Sequence, residues 1–435
     1  MRNTKLHSPQ PSSYQPLRAW AMAGMLAAMM LTNFLDKVVI GLVAVPMMQE
    51  LHLTPTEFGI IGGSFYWLFA IGALIGGFVS NRVPASRVLL VIAVVWAVLQ
   101  LPLAASASFL TFILCRALLG VTEGPASPVA THALYKWFPN TKRSLPVALL
   151  HQGSSAGLLL AGLVIPFVTL HWGWRANFYL LAAVGLAWCV IWFLFGEEGQ
   201  VEESTLEPAR AEERIPYRRL LSDPTVIGNF VAHFVTHWVL AASLTWLSAY
   251  LQKGLGYQPI EAGRMFALFI MITAPVSLGL AWLSQHLMSK GVPSRLARGA
   301  FIGVALIVAG VLHCALSLVD MGNLQKFITL AIAGGMTLVM NSVGPAVLGE
   351  IVPRSQRGGM LAIGNAVASA SGLAAPVIMG WLIQMSGSQG GRGYEHGFFV
   401  GGLLLTAGGL VALATMNPQR SGRRLCPPVA EASAA

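Results

Sequence analysis

At 435 residues and 46.3 kDa the chain has the length of two or three soluble domains, yet 55% of it is hydrophobic and only 10% is charged, against about 25% charged in globular proteins. With a mean hydropathy of +0.67 it cannot cover a soluble surface of this size, and the same composition excludes disorder, a coiled coil and a disulfide scaffold. The formal charge of +10 takes its meaning from where the basic residues fall.

Residues 1–19 form a polar, Pro- and Ser-rich tail, read as a cytoplasmic N-terminal segment. The apolar stretch after Trp20 is far longer than the core of a signal peptide and reads as a retained first helix. The first six apolar spans run at roughly 20–45, 57–79, 88–106, 109–134, 145–169 and 175–195, in keeping with the 20 or so residues that cross a bilayer as a helix. Residues 196–224 are polar: glutamates from Glu197 to Glu213 precede a basic cluster ending at Arg219, as in a solvated cytoplasmic linker. Six more spans follow at roughly 225–250, 261–286, 297–318, 324–349, 358–385 and 394–416. The tail 417–435 is basic, then Pro/Ala-rich, and is expected to be disordered and cytoplasmic.

The predicted fold class is an all-α polytopic membrane protein of twelve transmembrane helices, with residues 20–195 and 225–416 as two pseudo-symmetric six-helix bundles. The ten-residue alternation of a membrane β-barrel is missing. If residue 1 is cytoplasmic, 20 of the 27 Lys and Arg lie on cytoplasmic segments, 5 on outer loops and 2 inside the spans. That bias places both termini inside a cell (inner) membrane, and assigns the basic excess to topology and membrane lipids rather than to nucleic acid. Cys115, Cys189, Cys314 and Cys426 are dispersed, so neither a disulfide framework nor a metal knuckle is indicated.

Only Asp36, Lys37, Arg116 and Glu123 are charged residues well inside a predicted span. A charge at the bilayer centre costs at least about 2.5–3.5 kcal/mol, so all four should face a cavity or each other. A rise of about 1.5 Å per residue puts Lys37 and Arg116 at similar heights with Glu123 beneath them. The spacing of seven sets Arg116 and Glu123 on one helix face. Two cations and two carboxylates make a neutral cluster that turns cationic when an acid takes a proton, which is what coupling an anion to a proton requires. The plainer alternative is that the four merely pair to fix the first span against the fourth.

Gln152, Ser154 and Ser155 in the fifth span, and Asn341, Ser342, Asn365 and Ser369 in the tenth and eleventh, are candidates for binding substrate hydroxyls or for joining helices. His237 and Trp238 in the seventh span could touch substrate, and Tyr66, Trp67 and Trp238 would suit an aromatic acid. Gly153-Ser154-Ser155-Ala156-Gly157 matches a hydrolase nucleophile pattern, but it lies inside a membrane helix, where it reads as a close-packing face. His233 and His237 have the spacing of two metal ligands, but no acid or Cys stands near them in sequence, so no metal is expected.

The two halves repeat a loop pattern: Gly77-Phe78-Val79-Ser80-Asn81-Arg82 with Arg87 after the second span, and Gly279 to Ser284-Gln285 with Lys290 and Arg295 after the eighth. The first resembles the loop signature of the major facilitator superfamily, with Asn81 in place of its usual acid. Asn33-Phe34-Leu35-Asp36-Lys37, the stretch from Arg116 through Gly120 and Glu123 to Gly124, and Lys136-Trp137-Phe138-Pro139 resemble the anion:cation symporter family within it. That family includes bacterial sugar-acid and phthalate permeases and the animal sialin and vesicular glutamate carriers. Trp246 to Leu251, Gly364-Asn365 and Pro376 fit its second half, although Lys37 stands where the family usually has Arg. The resemblance implies Arg116 and Lys37 as carboxylate anchors, Asp36 and Glu123 as proton sites, Asn365 as a substrate contact, and Asn81, Arg82 and Arg87 as parts of a gating loop.

The expected activity is proton-coupled symport of a small organic anion, a sugar acid or aromatic acid, by alternating access. No enzymatic chemistry and no cofactor beyond the proton gradient are expected, and the functional unit is expected to be a monomer. The runner-up is a proton-driven exporter of drugs or metabolites.

Overall fold

The computed structural model describes residues 15–80, 82–139, 142–199, 214–387 and 391–425. Among them the chain is helical, with no strand. Among the described residues eleven helices are long and apolar enough to cross a membrane: α1 (Pro16–Leu42), α3 (Ala85–Ala105), α4 (Phe109–Tyr135), α5 (Ser144–Trp172), α6 (Arg175–Phe195), α7 (Pro224–Gly254), α8 (Pro259–Ser289), α9 (Arg295–Leu318), α10 (Asn323–Ile351), α11 (Arg357–Met385) and α12 (Arg392–Thr415). The second predicted span is not one helix. It divides into α2a (Pro55–Ser64) and α2b (Phe69–Ser80), joined by a turn over 65–68.

Local sequence explains the starts. Pro stands in the first turn of α1, α2a, α7 and α8, where its missing N–H is an orphan in any case. α2a adds a capping box: Thr54 Oγ1 accepts from Glu57 N at 3.2 Å, and Thr54 N donates to Glu57 Oε2 at 2.8 Å.

α1–α6 form one bundle and α7–α12 a second. Small residues set the spacing within each: Gly153 and Gly157 of α5 lie against the α1 backbone, and Gly310 of α9 against Gly402 of α12. The two bundles meet through α1 with α7, α2a with α11, and α5 with α8. These contacts fall toward the end opposite the basic loops. Gly59 abuts Pro376, Gly62 abuts Thr245, Gly162 abuts Gly263, and Thr56 N donates to Gln384 Oε1 at 3.3 Å. Toward the basic end, polar residues of the same helices are exposed. Asn365 lies seven residues before Gly372, which packs on Tyr66, and Asn365 is exposed. Gln152 and Ser155 on α5 are exposed as well.

Two stretches expected to be solvated are anchored where they are described. Glu198 accepts from Ser86 N at 3.0 Å and pairs with Lys136, and Gln356 exchanges two hydrogen bonds with the Ile215 backbone at 2.9 and 2.8 Å. The expected disorder after Asn417 is also corrected in part. Pro418–Leu425 is a helix, α13, that buries Pro418, Ser421 and Leu425 and leaves its arginines out. Its apolar side is too short to stand out from composition. Residues 201–213, Cys426 and the rest of the C-terminal tail lie outside the described residues.

Candidate functional site

Three of the four intramembrane charges, Lys37, Arg116 and Glu123, converge where α1, the break in α2 and α4 meet. Arg116 and Glu123 are each 3% exposed and share one face of α4. Lys37 of α1 reaches Glu123, with Nζ 3.3 Å from Oε2. The α2 break passes over α4 at Gly120, where a Cβ would sit 1.8 Å from the Phe65 carbonyl oxygen. That close approach sets the Phe65 ring between the two cations, 5.5 Å from Lys37 Nζ and 4.8 Å from Arg116 Cζ. Phe34 and Phe69 add ring faces at 4.7 and 5.4 Å from Lys37 Nζ. Each such contact contributes from about 0.5–1 kcal/mol when exposed to about 2 kcal/mol when desolvated.

The two cations differ in commitment. Lys37 has a carboxylate partner. Arg116 has no carboxylate within 4.0 Å among the described residues, and its buried Nε has no hydrogen-bond partner. Asp36 and Glu123 act on it electrostatically without touching it.

Asp36 points away from Lys37, as the 100° step between neighbouring helical residues requires. It lines a cavity of about 20 Å³ between α1, α3 and α6, with Gln100, Trp96 and Trp188. That is room for about one water molecule. Both Asp36 oxygens and Gln100 Oε1 are buried without a good hydrogen bond among the described residues, while Arg116 and Lys37 lie within electrostatic reach. Gln100 was not singled out in the sequence. The signal available was a lone amide in the third apolar span.

From the other bundle, His237 meets Tyr66 edge-on, with ring centroids 5.5 Å apart. Tyr66 lies within electrostatic reach of Arg116 and Glu123, and His237 within reach of Lys37. Trp238 turns instead toward Gly401 of α12, and Trp67 is exposed. Of the three aromatic residues singled out for an aromatic acid, the structure thus brings only Tyr66 to the charges. Asn365 and Gln152 are exposed and Ser154 is half-buried, and none of the three contacts the charges through a hydrogen bond among the described residues. Arg82 and Arg87 are exposed at the basic end, and Asn81 lies outside the described residues.

The family model described as Major Facilitator Superfamily matches residues 25–323. The chain is 27% identical to the hexuronate transporter of Bacillus subtilis (strain 168) over 402 residues, covering 88% of this chain and 90% of that one. It is 26% identical to the probable sulfoacetate transporter of Cupriavidus necator over 411 residues, covering 91% and 93%. A crystal structure of a bacterial homolog to the human lysosomal transporter Spinster, inward-facing and unoccupied, superimposes with a TM-score of 0.81 at 16% identity, covering 94% of this chain and 98% of that one.

Proposed function

The chain belongs to the major facilitator superfamily and is a multi-pass membrane transporter, and from that premise we propose that it carries a small organic anion together with a proton. The observation that carries the reading is Arg116: a permanent cation, buried midway along a bundle, with no carboxylate within 4.0 Å among the described residues. A guanidinium in that position offers planar, two-pronged recognition to a carboxylate. The two relatives above are named for hexuronate and sulfoacetate, both anions, which supports the same substrate class.

The Lys37–Glu123 pair supplies the coupling in this reading. With Glu123 ionised, Lys37 is engaged at 3.3 Å. When Glu123 takes a proton, Lys37 is released and joins Arg116 in holding the anion. Loss of the proton after the anion leaves closes the pair again, so each ligand strengthens the other's binding. Asp36, in its own small cavity, is a second acid that Arg116 balances. The basic excess supports a cytoplasmic position for the loops bearing Arg82, Lys136 and Arg219 and for both termini. The bundles, joined at the other end, then leave the site open to the cytoplasm through the gap lined by Asn365 and Gln152.

The test is uptake by the purified protein in sealed vesicles, with a hexuronate and an aromatic acid as probes. An inward proton gradient should drive accumulation above equilibrium, and a protonophore should collapse it. Accumulation that ignores the gradient, or a preference for the neutral sugar over its acid, would overturn the reading.

A further inference from the structure

A second site stands at the basic end of the C-terminal bundle, far from the charge cluster. α13 docks across the beginnings of α7 and α9, and a cavity of about 310 Å³ remains beneath it. That is the lower end of the range for small-molecule pockets, about 300–1,000 Å³. Arg295 of α9 and Arg420 and Arg424 of α13 line it. None of the three makes an ion pair within 4.0 Å among the described residues.

The one carboxylate in the lining, Asp223, is already used. Its Oδ1 accepts from Thr225 N at 2.9 Å, capping α7, and from Ser421 Oγ at 2.8 Å. Thr225 Oγ1 lies 2.7 Å from the same Ser421 hydroxyl and accepts from Asn417 N at 3.0 Å. This buried network fixes the position of α13 rather than leaving it a loose tail. Three exposed arginines line one cavity against a single committed carboxylate, which leaves two positive charges unbalanced in the lining. An anion in the cavity would balance them, and guanidinium geometry matches phosphate oxygens.

We propose that this cavity binds a phosphate group, and that the headgroup of an anionic phospholipid is its occupant. The cavity is walled by the ends of membrane helices, which puts it where headgroups lie if the basic end faces the membrane–water boundary. Bound there, the phosphate bridges α13 to α9 and ties the C-terminal bundle together at the end where the two bundles are apart. The proposal does not depend on which substrate the central site carries.

The experiment uses the full-length protein in an uncharged detergent. Thermal unfolding and native mass spectrometry are followed with phosphatidylglycerol, with phosphatidylcholine of the same chains, and with inorganic phosphate against chloride at equal ionic strength. The variants are Arg420→Gln with Arg424→Gln, and separately Arg295→Gln, which leaves α13 untouched should the double variant fail to fold. Wild type should retain one phosphatidylglycerol in preference to phosphatidylcholine and unfold several degrees higher with it. Either variant should bind at least tenfold more weakly. Equal protection by millimolar inorganic phosphate, lost in the variants, would keep the phosphate site and replace the lipid by a soluble oxyanion. Protection by phosphatidylglycerol that is the same in wild type and variants, or absent from wild type, would overturn the proposal.

Discussion

Arg116 and Lys37 are both cations of the central site, but among the described residues only Lys37 has a carboxylate within 4.0 Å. Loss of Arg116 therefore removes the anchor itself. Arg116→Ala should abolish anion binding, and Arg116→Lys should retain little of it, because a point charge cannot reproduce two parallel hydrogen bonds. Calorimetric titration of the purified variants checks this, and wild-type affinity in Arg116→Ala would remove the residue from the site. Glu123→Gln has a different consequence. A neutral amide leaves Lys37 permanently free for the anion but can neither take nor give a proton. Exchange of labelled for unlabelled substrate should survive, while uptake driven by a pH gradient falls to background. These four charges were legible in the sequence because charge is so costly in a bilayer that each stands out against an apolar span. Gln100 was not, since an amide costs less and a single one inside α3 draws no attention. The Tyr66–His237 contact was not legible either, because it exists only where two bundles approach.

The break in α2 shows where reading by hydropathy stops. Gly62-Gly63-Ser64 offer a local turn signal, but Phe65, Tyr66, Trp67 and Leu68 continue the hydrophobic run, so hydropathy alone does not mark the break. The cause lies on α4, where Gly120 admits the Phe65 carbonyl. Gly120→Val should push that carbonyl away, cost about 1–3 kcal/mol through overpacking, and displace Phe65 from between the cations. Thermal unfolding should show the loss, and anion affinity should fall with it, whereas unchanged binding would mean that Phe65 does not set the site. A second contact between elements titrates. Burial opposes the charge on Glu198, but the hydrogen bonds from Lys136 and Ser86 outweigh it and hold its pKa below the usual 4.5. Because the folded value is the lower one, Glu198 contributes stability above pH 4.5 and loses it as pH falls through the folded value. The difference in unfolding temperature between wild type and Glu198→Gln should thus be largest near neutrality and shrink below pH 4.5. A difference that does not change with pH would exclude the ionised Glu198 as the latch.

The twelve spans and their division into halves were readable from composition and repeat, but which ends of the bundles touch was not, since the glycines involved are scattered over helices distant in sequence. A Cβ on Gly59 of α2a would lie 2.4 Å from the Pro376 carbonyl oxygen of α11, and one on Gly162 would lie 2.7 Å from the Gly263 carbonyl oxygen. Such backbone-to-backbone contact leaves no room for a side chain to give way, so bulk at Gly59 acts on the separation of the bundles themselves. Overpacking of about 1–3 kcal/mol, applied to the state joined at this end, shifts the balance of conformations by about 5- to 150-fold. Gly59→Val should therefore favour the state open at the end opposite the basic loops. In a background with the native cysteines replaced, a cysteine at Gln384, whose side chain now accepts from Thr56 N, should become more reactive to an impermeant thiol reagent added on that side. A cysteine at Asn365, in the gap toward the basic end, should become less reactive in the same variant. Opposite movement of the two is the signature of bundles that rock about the charge cluster between them. A rise at Gln384 without a fall at Asn365 would mean that α2a peels locally from α11 while the bundles stay in place.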